Sequence, residues 1–183
     1  MGAPRLPDVA LDDQYFESKF VGPDNVIIDV GEHGWRGAKG LDSGPDEPRA
    51  AKIRHVAIST EHPEQTARWY QAVFNLVEAG RSPVGVYLSD GETNFAVLRL
   101  TAETEPGRVE LGMSHFGFMV ADPDATYRRL EAHGARRLPD VMLGGQYFEV
   151  KYQAPDGVIL DVGEHGWIGA KGLPTVSAAG PTN

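Results

Sequence analysis

The sequence predicts an α+β fold of two βαβββ units in tandem, preceded by an N-terminal duplicate of part of such a unit. Three observations carry that prediction. Residues 5–41 and 137–173 align without a gap and are identical at 27 of 37 positions, so the chain is assembled partly by repetition. The strand and helix signals between Lys52 and Leu100 recur in the same order between Ser114 and Gly163. The first strand of each unit carries a histidine, His55 or His115, followed two residues later by a small residue, Ala57 or Gly117.

The elements follow from local chemistry. KIRHVAIS at Lys52–Ser59 is rich in β-branched residues and alternates. It predicts a strand with Ile53, His55, Ala57 and Ser59 on one face and Val56 and Ile58 on the other. Glu61-His62-Pro63-Glu64 opens a helix, with Pro63 suited to its first turn. Ala67, Trp69, Tyr70, Val73 and Phe74 then recur at roughly helical spacing, and Trp69, Tyr70 and Phe74 are expected in the core. Strands near Leu76–Ala79, at Gly85–Ser89 and at Asn94–Leu100 complete the unit, the last two joined through Asp90-Gly91.

The second unit repeats this order. Ser114–Val120 is a strand, and Asp122–His133 a helix opened by Asp122-Pro123 and ended by Gly134. Strands near Arg136–Val141, at Gln146–Gln153 and at Val158–Gly163 follow, with Pro155-Asp156-Gly157 as a turn. The N-terminal copy contains the last three strands of a unit and lacks the first strand and helix. The expected domains are therefore residues 1–41 as a duplicated partial unit, 42–51 as a linker, 52–173 as the two-unit domain and 174–183 as a flexible tail.

Composition narrows the function classes. A length of 183 residues, with 41% hydrophobic and 23% charged residues, fits a globular protein with a real core. A net charge of −9 argues against a nucleic-acid partner. No apolar run approaches the ~20 residues needed to span a bilayer, and no basic amphipathic stretch suits a membrane surface. The N-terminus lacks the plan of a signal peptide, so the expected location is cytoplasmic. Zero cysteines exclude thiolate metal sites and a cysteine nucleophile.

Two tandem βαβββ units, a first-strand histidine in each and the ending Pro-Asp-Gly-x-x-x-acid, here PDGVILD at residues 155–161, resemble the vicinal oxygen chelate superfamily. That superfamily includes glyoxalase I, bleomycin-resistance proteins, methylmalonyl-CoA epimerase and extradiol dioxygenases. The resemblance covers about Lys52–Gly169. It implies a half-open barrel with a divalent metal inside, held by His55, His115 and Asp161. Neutral imidazoles suit first-row transition metals, and a metal would partner Asp161 on its apolar strand.

Glyoxalases and epimerases resemble one another in carrying a carboxylate on the last strand of both units. NFAVLRL, the corresponding first-unit strand, has none; Asn94 is a weak substitute and Ala96 cannot ligate. Two histidines and one carboxylate remain, the triad that leaves Fe(II) positions open for oxygen and a chelating substrate. Extradiol dioxygenases have Glu where this chain has Asp161, whose side chain reaches about one methylene less.

The resemblance thus favours an Fe(II) dioxygenase-like enzyme acting on a small oxygen-chelating substrate, with Mn, Zn or Ni as other metals. One alternative is a redox-neutral glyoxalase- or epimerase-type lyase or isomerase with a Lewis-acid metal. The other is a metal-free small-molecule binding or resistance protein, with the histidines as satisfied interior groups and Asp161 as a hydrogen-bonded structural acid. His165 is a candidate proton shuttle at a cavity lip with Trp167, set against a surface turn with Trp167 packed on the barrel end. Tyr147, Glu149 and Lys151 share a strand face and are candidates for orienting substrate; the rival reading is a solvated Glu149–Lys151 ion pair. His62 and His133 are expected at the surface. The strand VIIDV in the duplicate is apolar on both faces and seeks cover. A homodimer is expected, with exchange of residues 5–41 or their pairing at a sheet edge as ways to form it; the rival reading is a weakly docked relic of a partial duplication.

Overall fold

The computed structural model describes residues 3–7, 9–11, 15–31, 51–100, 110–139, 141–143, 147–163 and 165–172. The expected tail 174–183 lies outside them. The chain divides into two compact units, Met1–Asp46 and Glu47–Asn183. Among the described residues, no helix is long and apolar enough to cross a membrane.

The smaller unit is a three-stranded antiparallel sheet of β1 (Val9–Leu11), β2 (Tyr15–Val21) and β3 (Ile27–Val30), in that order. A tight turn at Pro23–Asn25 joins β2 to β3. Lys19 lies opposite Asp29 in the register, and its Nζ donates to Asp29 Oδ1 at 2.7 Å. Ile27 and Val30 are 52% and 45% exposed, so among the described residues the apolar strand is only partly covered.

In the larger unit, β4 (Ala51–Thr60), α1 (Pro63–Phe74), β5 (Val77–Ser82), β6 (Gly85–Ser89) and β7 (Asn94–Arg99) form the first βαβββ module. The second comprises β8 (Gly112–Val120), α2 (Pro123–Ala132), β9 (Arg136–Arg137), β10 (Val141–Leu143), β11 (Tyr147–Gln153) and β12 (Ile159–Gly163). All nine strands form one mixed sheet ordered β10-β11-β12-β8-β4-β7-β6-β5, with β9 also paired to β11. The modules join where their first strands, β4 and β8, pair antiparallel. Asp122 Oδ1 caps α2 by accepting from Ala125 N at 2.8 Å.

The helices cover one face of the sheet. Val120, Val150, Tyr152 and Val162 form a core cluster against Tyr127 and Leu130 of α2, and Tyr70 of α1 meets Phe95 of β7 with ring centroids 4.6 Å apart. Because strand side chains alternate, Lys151, Asp161, Asn94 and Ala96 fall on the opposite face.

Two local expectations need correction. Of the Trp69, Tyr70 and Phe74 set, only Tyr70 is buried; Trp69 is partly covered, and Phe74, at the last turn, is 38% exposed. Ile53 does not share the environment of His55. A register shift between Ile53 and His55 interrupts the alternation, leaving Ile53 49% exposed and His55 buried.

Candidate metal centre

The sheet register places the centre. Lys151 pairs with Asp161, Asp161 with Gly117, Gly117 with His55, and His55 with Asn94, in one lateral row across β11, β12, β8, β4 and β7. The β4–β8 pairing is close to two-fold symmetric about Val56 and Phe116: His55 faces Gly117 and His115 faces Ala57. Each histidine thus stands opposite a small residue, which leaves room for both rings on the same face. Ala96 pairs with Ala57 as Asp161 pairs with Gly117. The equivalent of the acid in the first module is therefore a fully buried alanine.

Three buried donors converge. His55 Nε2 lies 3.1 Å from His115 Nε2, His115 Nε2 lies 3.2 Å from Asp161 Oδ2, and His55 Nε2 lies 4.0 Å from Asp161 Oδ2. The surrounding hydrogen bonds fix the rings. Asn94 donates through Nδ2 to the Ile168 carbonyl at 2.7 Å, which leaves its Oδ1 to accept from His55 Nδ1 at 2.6 Å. His55 therefore carries its proton on Nδ1 and turns the Nε2 lone pair inward. On His115, Nδ1 is 2.7 Å from Ser114 Oγ and Nε2 is 3.2 Å from Lys151 Nζ. An ammonium only donates, so Nε2 accepts and Nδ1–H is held by the serine.

Two lone pairs and a carboxylate oxygen facing one another at these distances call for a positive charge among them, which the Lys151 ammonium supplies here at His115 Nε2 and Asp161 and which a metal ion would also supply. Metal–ligand distances of about 2.0–2.2 Å at angles between right and tetrahedral require donor–donor spacings of roughly 3.0–3.4 Å. Two edges of the triangle already meet that requirement, and the His55–Asp161 edge, at 4.0 Å, exceeds it by about 0.6 Å. The donor set and its geometry fit a divalent metal.

The electrostatics agree. Burial, with the neighbouring His115 next in weight, lowers the His55 pKa to about 3, so this ring stays neutral and ready to ligate. Burial alone would raise the Asp161 pKa, but His115 and Lys151 beside it outweigh that and hold the carboxyl well below its ordinary range. A pH prediction follows from His55. Its folded pKa lies below the unfolded value of about 6.5, so between those values the unfolded chain binds the extra proton and stability falls with falling pH. The metal-free protein is expected to lose about 2 kcal/mol between pH 7.5 and pH 5 from this group. Urea unfolding at both pH values, compared with His55→Gln, checks this; an equal pH slope in the variant would remove His55 as the cause.

Residues after β12 form a strap over the site. Trp167, nearly buried, stacks on His55 with ring centroids 4.8 Å apart and planes 9° from parallel. Ser89 Oγ donates to the Gly169 carbonyl at 2.6 Å and Arg54 Nε to the Lys171 carbonyl at 3.1 Å, while Lys171 N donates to the Glu92 carbonyl at 3.0 Å. His165, the expected shuttle, is exposed. Tyr147 and Glu149 lie on β11, in register with Leu143 and Val141, but their side chains lie outside the described residues.

Lys151 is the largest departure from expectation. It is 2% exposed, and its Nζ donates to Asp161 Oδ1 at 2.7 Å and to Oδ2 at 2.9 Å. The described pair is buried and made with Asp161; the expected Glu149–Lys151 pair falls on a side chain outside the described residues. A usable signal lay in the repeat, which keeps Lys19 with Asp29 just as it keeps Lys151 with Asp161. The roles of Ser114 and of the Ile168 carbonyl had no sequence signal, because they depend on the strap's path.

The family model described as Glyoxalase/Bleomycin resistance protein/Dioxygenase superfamily matches residues 52–162. The chain belongs to this superfamily. Among solved structures, superfamily architecture recurs in the 2,3-dioxygenase LapB from Pseudomonas sp. KL28, at TM-score 0.50 and 20% identity, covering 72% of this chain and 46% of that one. This chain therefore spans about half the length of that dioxygenase. A hypothetical protein from Bacillus halodurans C-125 matches at TM-score 0.50 and 16% identity, covering 62% of this chain and 94% of that one. Methylmalonyl-CoA epimerase from Mycobacterium tuberculosis aligns at TM-score 0.49 and 16% identity, over 69% and 91% of the two chains. At these identities the likeness is one of fold. No curated protein matches the sequence significantly.

Proposed function

We propose that this member of the superfamily is a metal-dependent enzyme in which His55, His115 and Asp161 hold a divalent metal, Fe(II) by preference, and that it oxygenates a small oxygen-chelating substrate. The observation that carries this reading is the buried triangle of two imidazole nitrogens and one carboxylate, with alanine where a fourth ligand would stand. Three ligands leave open positions, and Fe(II) there supplies redox chemistry with dioxygen. The chain's own residues do the rest. Asn94 and Ser114 fix the tautomers of the two histidines, and Trp167 shields His55 from water. Tyr147 and Glu149, on the strand face of Lys151, are assigned to orienting substrate, and His165 at the rim to moving protons.

Anaerobic loading of the stripped protein with Fe(II) is expected to give stoichiometric metal and catechol-dependent oxygen uptake, with His115→Ala losing both. Bound zinc or nickel, with no oxygen uptake on catechols, would shift the assignment to glyoxalase- or epimerase-type chemistry.

One observation favours a second reading. Asp161 already has a buried cationic partner in Lys151, so a metal-free small-molecule binding protein satisfies the same polar groups. Absence of metal, together with unchanged function in His115→Ala, would establish it. We also propose that residues 5–41 take part in a homodimer, on the strength of the exposed Ile27 and Val30; a chain starting at Ala51 is expected to be monomeric.

A further inference from the structure

We infer that Lys151 is a tethered cation built into the metal site: its ammonium occupies the triad's carboxylate and must be displaced when a divalent metal enters. This rests on the metal reading of His55, His115 and Asp161. The geometry carries it in three steps.

First, Lys151 engages two of the three donors. Its Nζ lies 2.7 and 2.9 Å from the two Asp161 oxygens and 3.2 Å from His115 Nε2. A metal on Asp161 Oδ2 and His115 Nε2 would compete for the same electron pairs and face the ammonium at short range, in a setting with almost no solvent to screen the repulsion. Asp161 supplies one negative charge, which the lysine already neutralises.

Second, the lysine's backbone cannot withdraw. Val150 and Tyr152 on either side of it are 3% and 0% exposed in the core cluster packed against α2, so β11 is held in place. Only the four-carbon side chain can move Nζ off the carboxylate.

Third, the pair belongs to the hairpin and does not depend on the histidines. The duplicate hairpin of β2 and β3 carries no first-strand histidine, yet Lys19 Nζ meets Asp29 Oδ1 at 2.7 Å in the equivalent register. The cross-strand register is sufficient to make the pair. In the larger unit the histidines are added to a carboxylate that already has a cation, so metal binding becomes an exchange, and the site takes metal more weakly than three free ligands would.

Mn(II), an oxygen-stable divalent ion, tests this in the full chain after EDTA treatment, with free Mn(II) read by electron paramagnetic resonance. Lys151→Met is expected to bind Mn(II) roughly tenfold or more tightly than the parent, and Lys151→Met/His115→Ala to lose that gain. Lys151→Gln, which keeps an amide donor for Asp161 and guards against misfolding of the methionine variant, is expected to shift affinity in the same direction. Amine labelling read by mass spectrometry is expected to modify Lys151 faster once Mn(II) is bound. Binding by Lys151→Met with none by the parent would support the inference most strongly. Parent and both lysine variants binding within twofold of one another, or the variants binding more weakly, would overturn it while leaving the triad reading intact. No binding by any of them would overturn both.

Discussion

Replacing Asp161 with alanine is expected to cost the metal-free protein about 3–5 kcal/mol, the range for breaking a buried ion pair by removing one partner. Asp161 is fully buried and Lys151 nearly so, so the substitution removes the carboxylate that meets a buried ammonium with both its oxygens. The loss comes from the weakened compensation of that charge more than from the absent contact. A double variant, Lys151→Met with Asp161→Leu, removes both charges and is therefore expected to recover most of the stability. The chain contains its own control. Lys19 and Asp29 form the same pair at the same length, but their side chains are 24% and 34% exposed, and Asp29→Ala is expected to cost no more than about 1 kcal/mol. Urea unfolding followed by circular dichroism, which reports both sheets, measures all three. Equal losses for the two single variants, or a double variant no better than Asp161→Ala, would show that burial does not govern the pair.

The contrast between the two copies explains what was legible in the sequence. His55 and His115 could be brought together on paper because they occupy equivalent places in equivalent units, and pseudo-symmetry does the rest. The small residues two positions later marked the same arrangement, since each stands opposite the other unit's histidine. Asp161 was legible because a carboxylate on a strand with apolar neighbours on both sides demands a partner.

The identity of that partner lies in the register of the hairpin. The Pro155-Asp156-Gly157 turn centres the hairpin so that Lys151 falls opposite Asp161. Facing residues across the ladder stand closer than residues two apart on one strand, such as Glu149 and Lys151. The strap was not legible. Residues 165–171 have no hydrophobic period, and they are held by bonds from Asn94, Ser89 and Arg54 to backbone carbonyls, which any sequence supplies. Ile53 was misplaced for a related reason: a shift in ladder register leaves no mark in the alternation of residue types.

Gly117→Ala is expected to unseat the strap. A Cβ at Gly117 would lie 2.7 Å from two ring carbons of Trp167 and 3.0 Å from His55 Cβ. The first contact is with the ring that covers His55, and the second is with the strand that carries it, so neither side yields freely. Overpacking of this kind costs about 1–3 kcal/mol. The ring is the movable part, but it is tied on its C-terminal side by the Ile168 carbonyl bond to Asn94. A displaced Trp167 therefore also pulls on the residue that sets the His55 tautomer. The expected result in a Trp35→Phe/Trp69→Phe background, where Trp167 alone fluoresces, is a red-shifted emission and stronger acrylamide quenching. Under the metal reading, divalent-metal affinity falls as well, because Asn94 no longer holds His55 Nε2 inward. In a Trp167→Ala background the same glycine substitution no longer meets the two ring carbons at 2.7 Å, His55 Cβ at 3.0 Å being the next contact, and its cost should drop by more than half. Coupling of this kind is what a double-mutant cycle isolates. An undiminished cost without the tryptophan ring would place the requirement for glycine in the β4–β8 pairing itself, and would separate the strap from the histidine it covers.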